Sequence, residues 1–133
     1  MRFFILLVFV FCVSCARTFT PVTKVSPHEI YFRFDSDRIL KKYEPILNET
    51  VQVLQKNQKR SLILSGHTDQ IGTDTYNLDL ADRRSRSIKA YFLKNGVDSD
   101  RLLTVSFGEK DPQSKSYPKN RRVVIEKMGG RGE

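Results

Sequence analysis

Cysteine is almost missing from this chain of 133 residues: Cys12 and Cys15 are the only two. A disulfide framework or CxxC redox pair is thereby excluded from everything downstream. Histidine is as scarce, with His28 and His67 alone. Neither HExxH, a zinc-type cysteine set nor a G-x-S-x-G elbow occurs, and no pair of catalytic carboxylates stands out. An enzyme, a metal site and a cofactor are therefore not expected. Long apolar stretches are lacking too, since the run from Phe3 to Val13 has eleven residues. As a helix it would span about 16 Å, against a bilayer core of about 30 Å, which is short for a membrane anchor. There is no internal repeat or low-complexity tract, and 39% hydrophobic with 29% charged residues is ordinary for one soluble fold.

What the N-terminus does have is Arg2, the apolar run, Ser14 and Cys15, the outline of a secretory signal peptide over residues 1–14. Cys12-Val13-Ser14-Cys15 resembles a bacterial lipobox, although Cys12 stands where Leu is usual. The resemblance implies cleavage before Cys15, a diacylglycerol on its thiol and an acyl chain of the palmitate kind on its amine. Two or three such chains anchor stably where one does not. No Asp follows Cys15 directly, so the outer membrane is the expected destination, with the domain facing the periplasm. Residues 16–27 lack periodicity and read as a tether, reaching at most about 40 Å. Residues 28–127 are expected to form the single folded domain, and the Gly-rich residues 128–133 a loose tail. The net charge of +8 suits an acidic polymer or anionic headgroups, or simply a solvated basic surface.

Within the domain, residues 30–34 alternate so that Ile30, Phe32 and Phe34 share one strand face, and Asp35-Ser36-Asp37 ends the strand. Leu40, Tyr43, Leu47, Val51 and Leu54 recur at helical steps, with Pro45 tolerable only in the first turn. Residues 61–66 read as a central strand covered on both faces. After a polar loop over 67–76, Asn77 is a candidate N-cap for a second helix with the stripe Leu80, Ala81, Ile88, Tyr91 and Phe92, ending at Lys94 before Gly96. Strands follow at 102–107 and 122–127. The order β-α-β-α-β-β predicts an α+β sandwich: a mixed four-stranded sheet with helices packed against it, its closing strand pair antiparallel.

Arg84 breaks the amphipathic pattern, lying one turn from both Leu80 and Ile88 on the inward stripe. A buried guanidinium costs several kcal/mol, to order of magnitude, unless it is paired. Arg84 therefore needs a carboxylate or an anionic ligand, unless its stem packs while its head reaches water. Asp69 follows the second strand, at the edge of an open sheet where ligands gather. The two residues either face a zwitterionic ligand, carboxylate on arginine and ammonium on aspartate, or pair with each other.

Gly66-His67-Thr68-Asp69, Gly72, Tyr76-Asn77, Leu80, Arg83-Arg84, Gly96-Val97, Arg101-Leu102, Gly108-Glu109 and Asn120-Arg121-Arg122-Val123 together resemble the OmpA-like C-terminal domain. That family includes the peptidoglycan-associated lipoprotein Pal, whose opening Tyr31-Phe32-Arg33-Phe34-Asp35 resembles, and the periplasmic part of flagellar stator proteins. The resemblance implies non-covalent binding of the peptidoglycan stem peptide through its diamino acid, with Asp69 and Arg84 as the principal contacts. It also implies lesser roles for Thr68, Gly72 and Asn77, and for Arg122 either a place at the pocket border or a structural role. The chain departs from the family at Ala81, where Ser or Gly is common, at Ser85, where Ala is usual, and in a shorter loop over 110–119.

Arg83, Arg84, Arg86 and Lys89 form a basic run, but helical spacing spreads them over different faces and export argues against a nucleic-acid partner. His67 is expected to be a packing or hydrogen-bonding residue at a strand end. An envelope adaptor that binds Tol-type proteins instead of, or besides, the wall is the alternative reading.

Overall fold

A computed structural model describes residues 27–129. The expectations for the signal peptide, Cys15, the tether as far as residue 26 and residues 130–133 lie outside it. Strand β1 (His28–Tyr31) leads through a 3-10 turn (Lys41–Tyr43) to helix α1 (Glu44–Lys56), then β2 (Leu62–His67) and helix α2 (Asp74–Lys94). A second 3-10 turn (Ser99–Arg101) precedes β3 (Leu102–Gly108), a short helix α3 (Tyr117–Asn120) and β4 (Arg122–Lys127). The four strands make one mixed sheet in the order β1-β4-β2-β3, so the architecture is α+β. Among the described residues no helix is long and apolar enough to cross a membrane.

One expectation about the sheet is corrected. The closing pair is not β3 with β4: β4 runs antiparallel between β1 and β2, while β3 pairs parallel with β2 alone. The crossover from β1 to β2 leaves a one-strand gap with unpaired amide edges on both sides, and β4 fills it. β2, between β4 and β3, is buried along its length except at half-buried Ile63. Both crossovers travel in the same direction along the sheet, and right-handed crossovers then put both helices on one side. Leu103 and Phe107, on the other side, remain 48% and 40% exposed.

Between sheet and helices, Ile30, Phe32, Leu47, Val51, Leu54, Leu62, Leu64, Ile88, Phe92, Val97, Leu102, Val123 and Ile125 form one core. Pro45 does fall in the first turn of α1. Phe34 leaves the face of Ile30 and Phe32: it is 57% exposed, because β1 ends at Tyr31 and the chain turns through Asp35 at φ 50°. Helix α2 starts one turn earlier than expected, capped by Thr73, whose Oγ1 accepts from the Tyr76 amide at 3.3 Å. Asn77 is therefore a buried helical residue and not the cap. Arg101, which the sequence pattern passed over, is buried and donates to the backbone carbonyls of Leu54, Asn57 and Arg60 around the C-terminus of α1.

Candidate functional site

The C-terminal ends of β1, β2 and β3 and the start of β4 meet at one end of the sheet, and the residues singled out by pattern gather there. Arg84 has no exposed surface. Its partner is neither a carboxylate nor water but three backbone carbonyls. Nε donates to Ser36 at 2.9 Å, Nη1 to His67 at 2.9 Å and Nη2 to Arg33 at 3.2 Å, and the group lies 5.3 Å from the Phe32 ring centre. The turn at Asp35 is what swings the Arg33 and Ser36 carbonyls onto it. Burial pulls the Arg84 pKa down to about 10, against the opposing pull of the Asp69 carboxylate, so it stays charged at neutral pH.

Asp69 is buried with 4% exposure, one oxygen accepting from the Ile71 amide at 3.2 Å. The other oxygen pairs with Arg121 Nη1 at 3.2 Å. The sequence reading gave Arg121 no role beyond its place in the family motif. Strand parity was the available signal: Val123 and Ile125 face the core, so Arg121 shares their side and Arg122 takes the opposite one. Two guanidiniums therefore flank one carboxylate, leaving this end locally positive.

Thr68 donates its amide to the Gly108 carbonyl at 2.8 Å, while its buried Oγ1 has no hydrogen-bond partner among the described residues. Asn77 Nδ2 donates to Glu109 Oε2 at 2.5 Å, and its Oδ1 is likewise buried and unpartnered. Gly72, at φ 115°, holds the loop in a conformation that side chains rarely adopt, 3.4 Å from that same Asn77 oxygen if a Cβ were added. Phe34 and Ile71 on the two loops around the pair, and Tyr76 in the first turn of α2, are exposed.

Arg122 lies on the other face of the sheet, 3.7 Å from Glu29 and from Asp111. His67 is buried beside it, stacked on Phe107 at 5.1 Å and 3.7 Å from Asp111. Burial, then the Arg122 charge, pulls the His67 imidazole down to about 4, with Asp111 and Glu29 pulling the other way. The unfolded chain, with a histidine near 6.5, binds a proton in that interval which the folded chain refuses. The neutral-histidine contribution is thus fully present above pH 6.5 and declines as pH falls towards 4, by at most about 1.4 kcal/mol per unit. Urea midpoints of a His67→Gln variant should fall less steeply than the parent's over that window; parallel slopes would contradict the assignment.

A hollow of about 360 Å³ adjoins the Asp69 loop at Gln70 and is walled by the 112–120 segment.

Fold and site together define an α+β domain with a buried constellation of Arg84, Asp69 and Arg121 where the loops of its sheet converge. The chain belongs to the OmpA family, which matches residues 31–125. It is 38% identical over 101 residues to the peptidoglycan-associated lipoprotein of Buchnera aphidicola and 37% identical over 101 residues to that of Haemophilus influenzae, 72% of this chain in each case. The matched stretch spans 58% and 66% of those relatives' own lengths. The crystal structure of the peptidoglycan-associated lipoprotein from Burkholderia pseudomallei superposes with a TM-score of 0.74 at 28% identity, covering 75% of this chain and 89% of that one. An outer membrane protein of Borrelia burgdorferi gives 0.62 at 31% identity, over 74% and 83%.

Proposed function

We propose that this protein is an outer-membrane lipoprotein whose domain holds peptidoglycan non-covalently through the diamino acid of its stem peptide. The observation that carries the reading is the state of Arg84. Three of its five N–H bonds go to backbone carbonyls and one remains on each terminal nitrogen, so the buried group takes a bidentate carboxylate once the 33–36 turn that caps it moves aside. Arg121 beside Asp69 adds a second positive charge that a ligand carboxylate would neutralise. Asp69, Thr68 Oγ1 and Asn77 Oδ1 are acceptors for the ammonium of the same diamino acid, and exposed Phe34, Ile71 and Tyr76 suit its aliphatic stem. The names of the related lipoproteins support the same ligand.

The topology also suits an anchor. His28 pairs with Ile125, so the chain enters at the end of the sheet opposite Asp69, and a tether from Cys15 would leave the ligand end facing away from the membrane. Mass measurement of the N-terminal peptide tests lipidation: an unmodified Cys15 would remove the lipoprotein part of the reading.

Co-sedimentation of the full chain, in mild detergent, with purified sacculi tests the ligand. The parent is expected to sediment, and Asp69→Ala to bind roughly ten-fold more weakly or worse, about 1.4 kcal/mol. Asp69→Asn, which keeps the shape and loses the charge, should behave like Asp69→Ala. If all three sediment alike, or none does, the wall reading fails and an envelope adaptor for Tol-type proteins replaces it.

A further inference from the structure

The hollow beside Gln70 belongs to no residue assigned so far. Its lining differs in kind from the Asp69 end: Gln70, Gln113 and Ser114 offer amide and hydroxyl groups, Lys115 is the one charged group, and no carboxylate lines it. Tyr117 lines it too and is 47% exposed, its ring free to meet a ligand face. At about 360 Å³ the hollow is near the lower end of small-ligand sites, room for one or two compact rings.

Its far wall is fixed in place. Asn120, 2% exposed, clasps Ser114 twice, accepting from the amide at 3.0 Å and donating to the carbonyl at 2.8 Å. Gln113 Nε2 donates to Glu29 Oε1 at 2.7 Å, and Asp111 reaches the buried Arg122 and His67. The buried ion cluster on the open face of the sheet thereby positions the groove wall. Two lining residues are chain neighbours of the Asp69–Arg121 pair, Gln70 following Asp69 and Asn120 preceding Arg121, so the hollow borders that end.

Uncharged polar side chains beside an exposed aromatic ring match a pyranose: vicinal hydroxyls and an acetamido group bond to amides, and the C–H face of the sugar lies on the ring. We propose that this groove binds an N-acetylated hexosamine of the glycan strand while the stem peptide occupies the Asp69 end. The proposal rests on the wall-binding reading above and adds a second, sugar-specific contact to it. A free carboxylate ligand is the weaker match, since it would find Lys115 alone.

The test compares three probes by calorimetry and amide NMR on the full chain in detergent micelles: a sugar-free stem tripeptide, the same tripeptide carrying its disaccharide, and an N-acetylglucosamine oligomer with no peptide. The disaccharide-bearing probe is expected to bind the parent at least ten-fold more tightly than the bare tripeptide. Tyr117→Ala should erase that advantage and leave the tripeptide affinity within two-fold, while Tyr117→Phe keeps it. The oligomer should shift the amide signals of residues 113–117 in the parent and not in Tyr117→Ala. Equal affinities for the two peptide probes, or no shift at 113–117 with either sugar-bearing probe, overturn the sugar site whether or not the tripeptide binds. Failure of the tripeptide with persistence of the oligomer shifts would instead overturn the stem-peptide reading and leave the groove standing.

Discussion

Replacing Arg84 by methionine is expected to destabilise the fold by about 3–5 kcal/mol, because three buried backbone carbonyls lose their donor at once. Methionine preserves much of the stem's packing volume, so the loss is chiefly one of hydrogen bonding. The carbonyls of Arg33, Ser36 and His67 come from the turn after β1 and the end of β2, and one guanidinium is what ties those segments to α2. Arg84→Lys should recover only part of the loss: an ammonium on a flexible stem lacks the planar fork that spans three oxygens in different directions. Urea denaturation of parent, methionine and lysine variants gives the order directly. A methionine variant within about 1 kcal/mol of the parent would mean that the loops hold without the guanidinium, contrary to its complete burial. The same reasoning makes Arg84 a poor choice for a binding test, since lost binding and lost structure would coincide. Asp69, whose carboxylate can become an amide of the same shape, separates them.

Much of this end of the molecule was legible from spacing. Arg84 stood out because Leu80 and Ile88 bracket it by one helical turn each, and a 3.6-residue period is insensitive to what the rest of the chain does. Period-two reasoning was equally sound for Val123 and Ile125, and carried two residues back from Val123 it identifies Arg121 as the arginine on the core side. Family resemblance pointed to Arg122 and parity to its neighbour. What spacing did not reveal was non-local. The insertion of β4 between β1 and β2 depends on which strand edges remain unpaired after both crossovers, a property of the assembled sheet. The position of Phe34 depended on Asp35 entering a left-handed conformation, available to Asp and Asn without being dictated by them. Thr73 displaced Asn77 as the helix cap because the two lie one turn apart in a segment that offers both as capping residues. The groove wall was read as a short loop, since the single turn of α3 carries too few residues to leave a periodic signal.

Gly66→Ala should be nearly as damaging as loss of Arg84, for a reason of space alone. Gly66 is not among the glycines at positive φ, so alanine meets no backbone penalty there. Its Cβ, however, would stand 2.1 Å from the carbonyl oxygen of Ala81 and 2.8 Å from the carbonyl carbon, inside any allowed contact. Both are backbone atoms of α2 and no rotamer change relieves them, so the helix must back away from β2. That movement also pulls Arg84 from the His67 carbonyl, one residue beyond Gly66, and opens the core beneath Ile88 and Phe92. Overpacking of a rigid contact costs about 1–3 kcal/mol, and the secondary losses put this variant at or above the upper end. For a domain of this size 3 kcal/mol corresponds to a fall in Tm of roughly 12–24 °C. Ala81→Gly should not rescue it, because the clash is with the Ala81 main chain and not its methyl group. Gly96→Ala is the control: φ there is 81° with nothing within 4 Å of the added carbon, so only the left-handed penalty of about 1–2 kcal/mol applies. If Gly66→Ala melts within a few degrees of Gly96→Ala, or if Ala81→Gly restores it, the close approach of α2 to β2 is not what holds Arg84 in its socket.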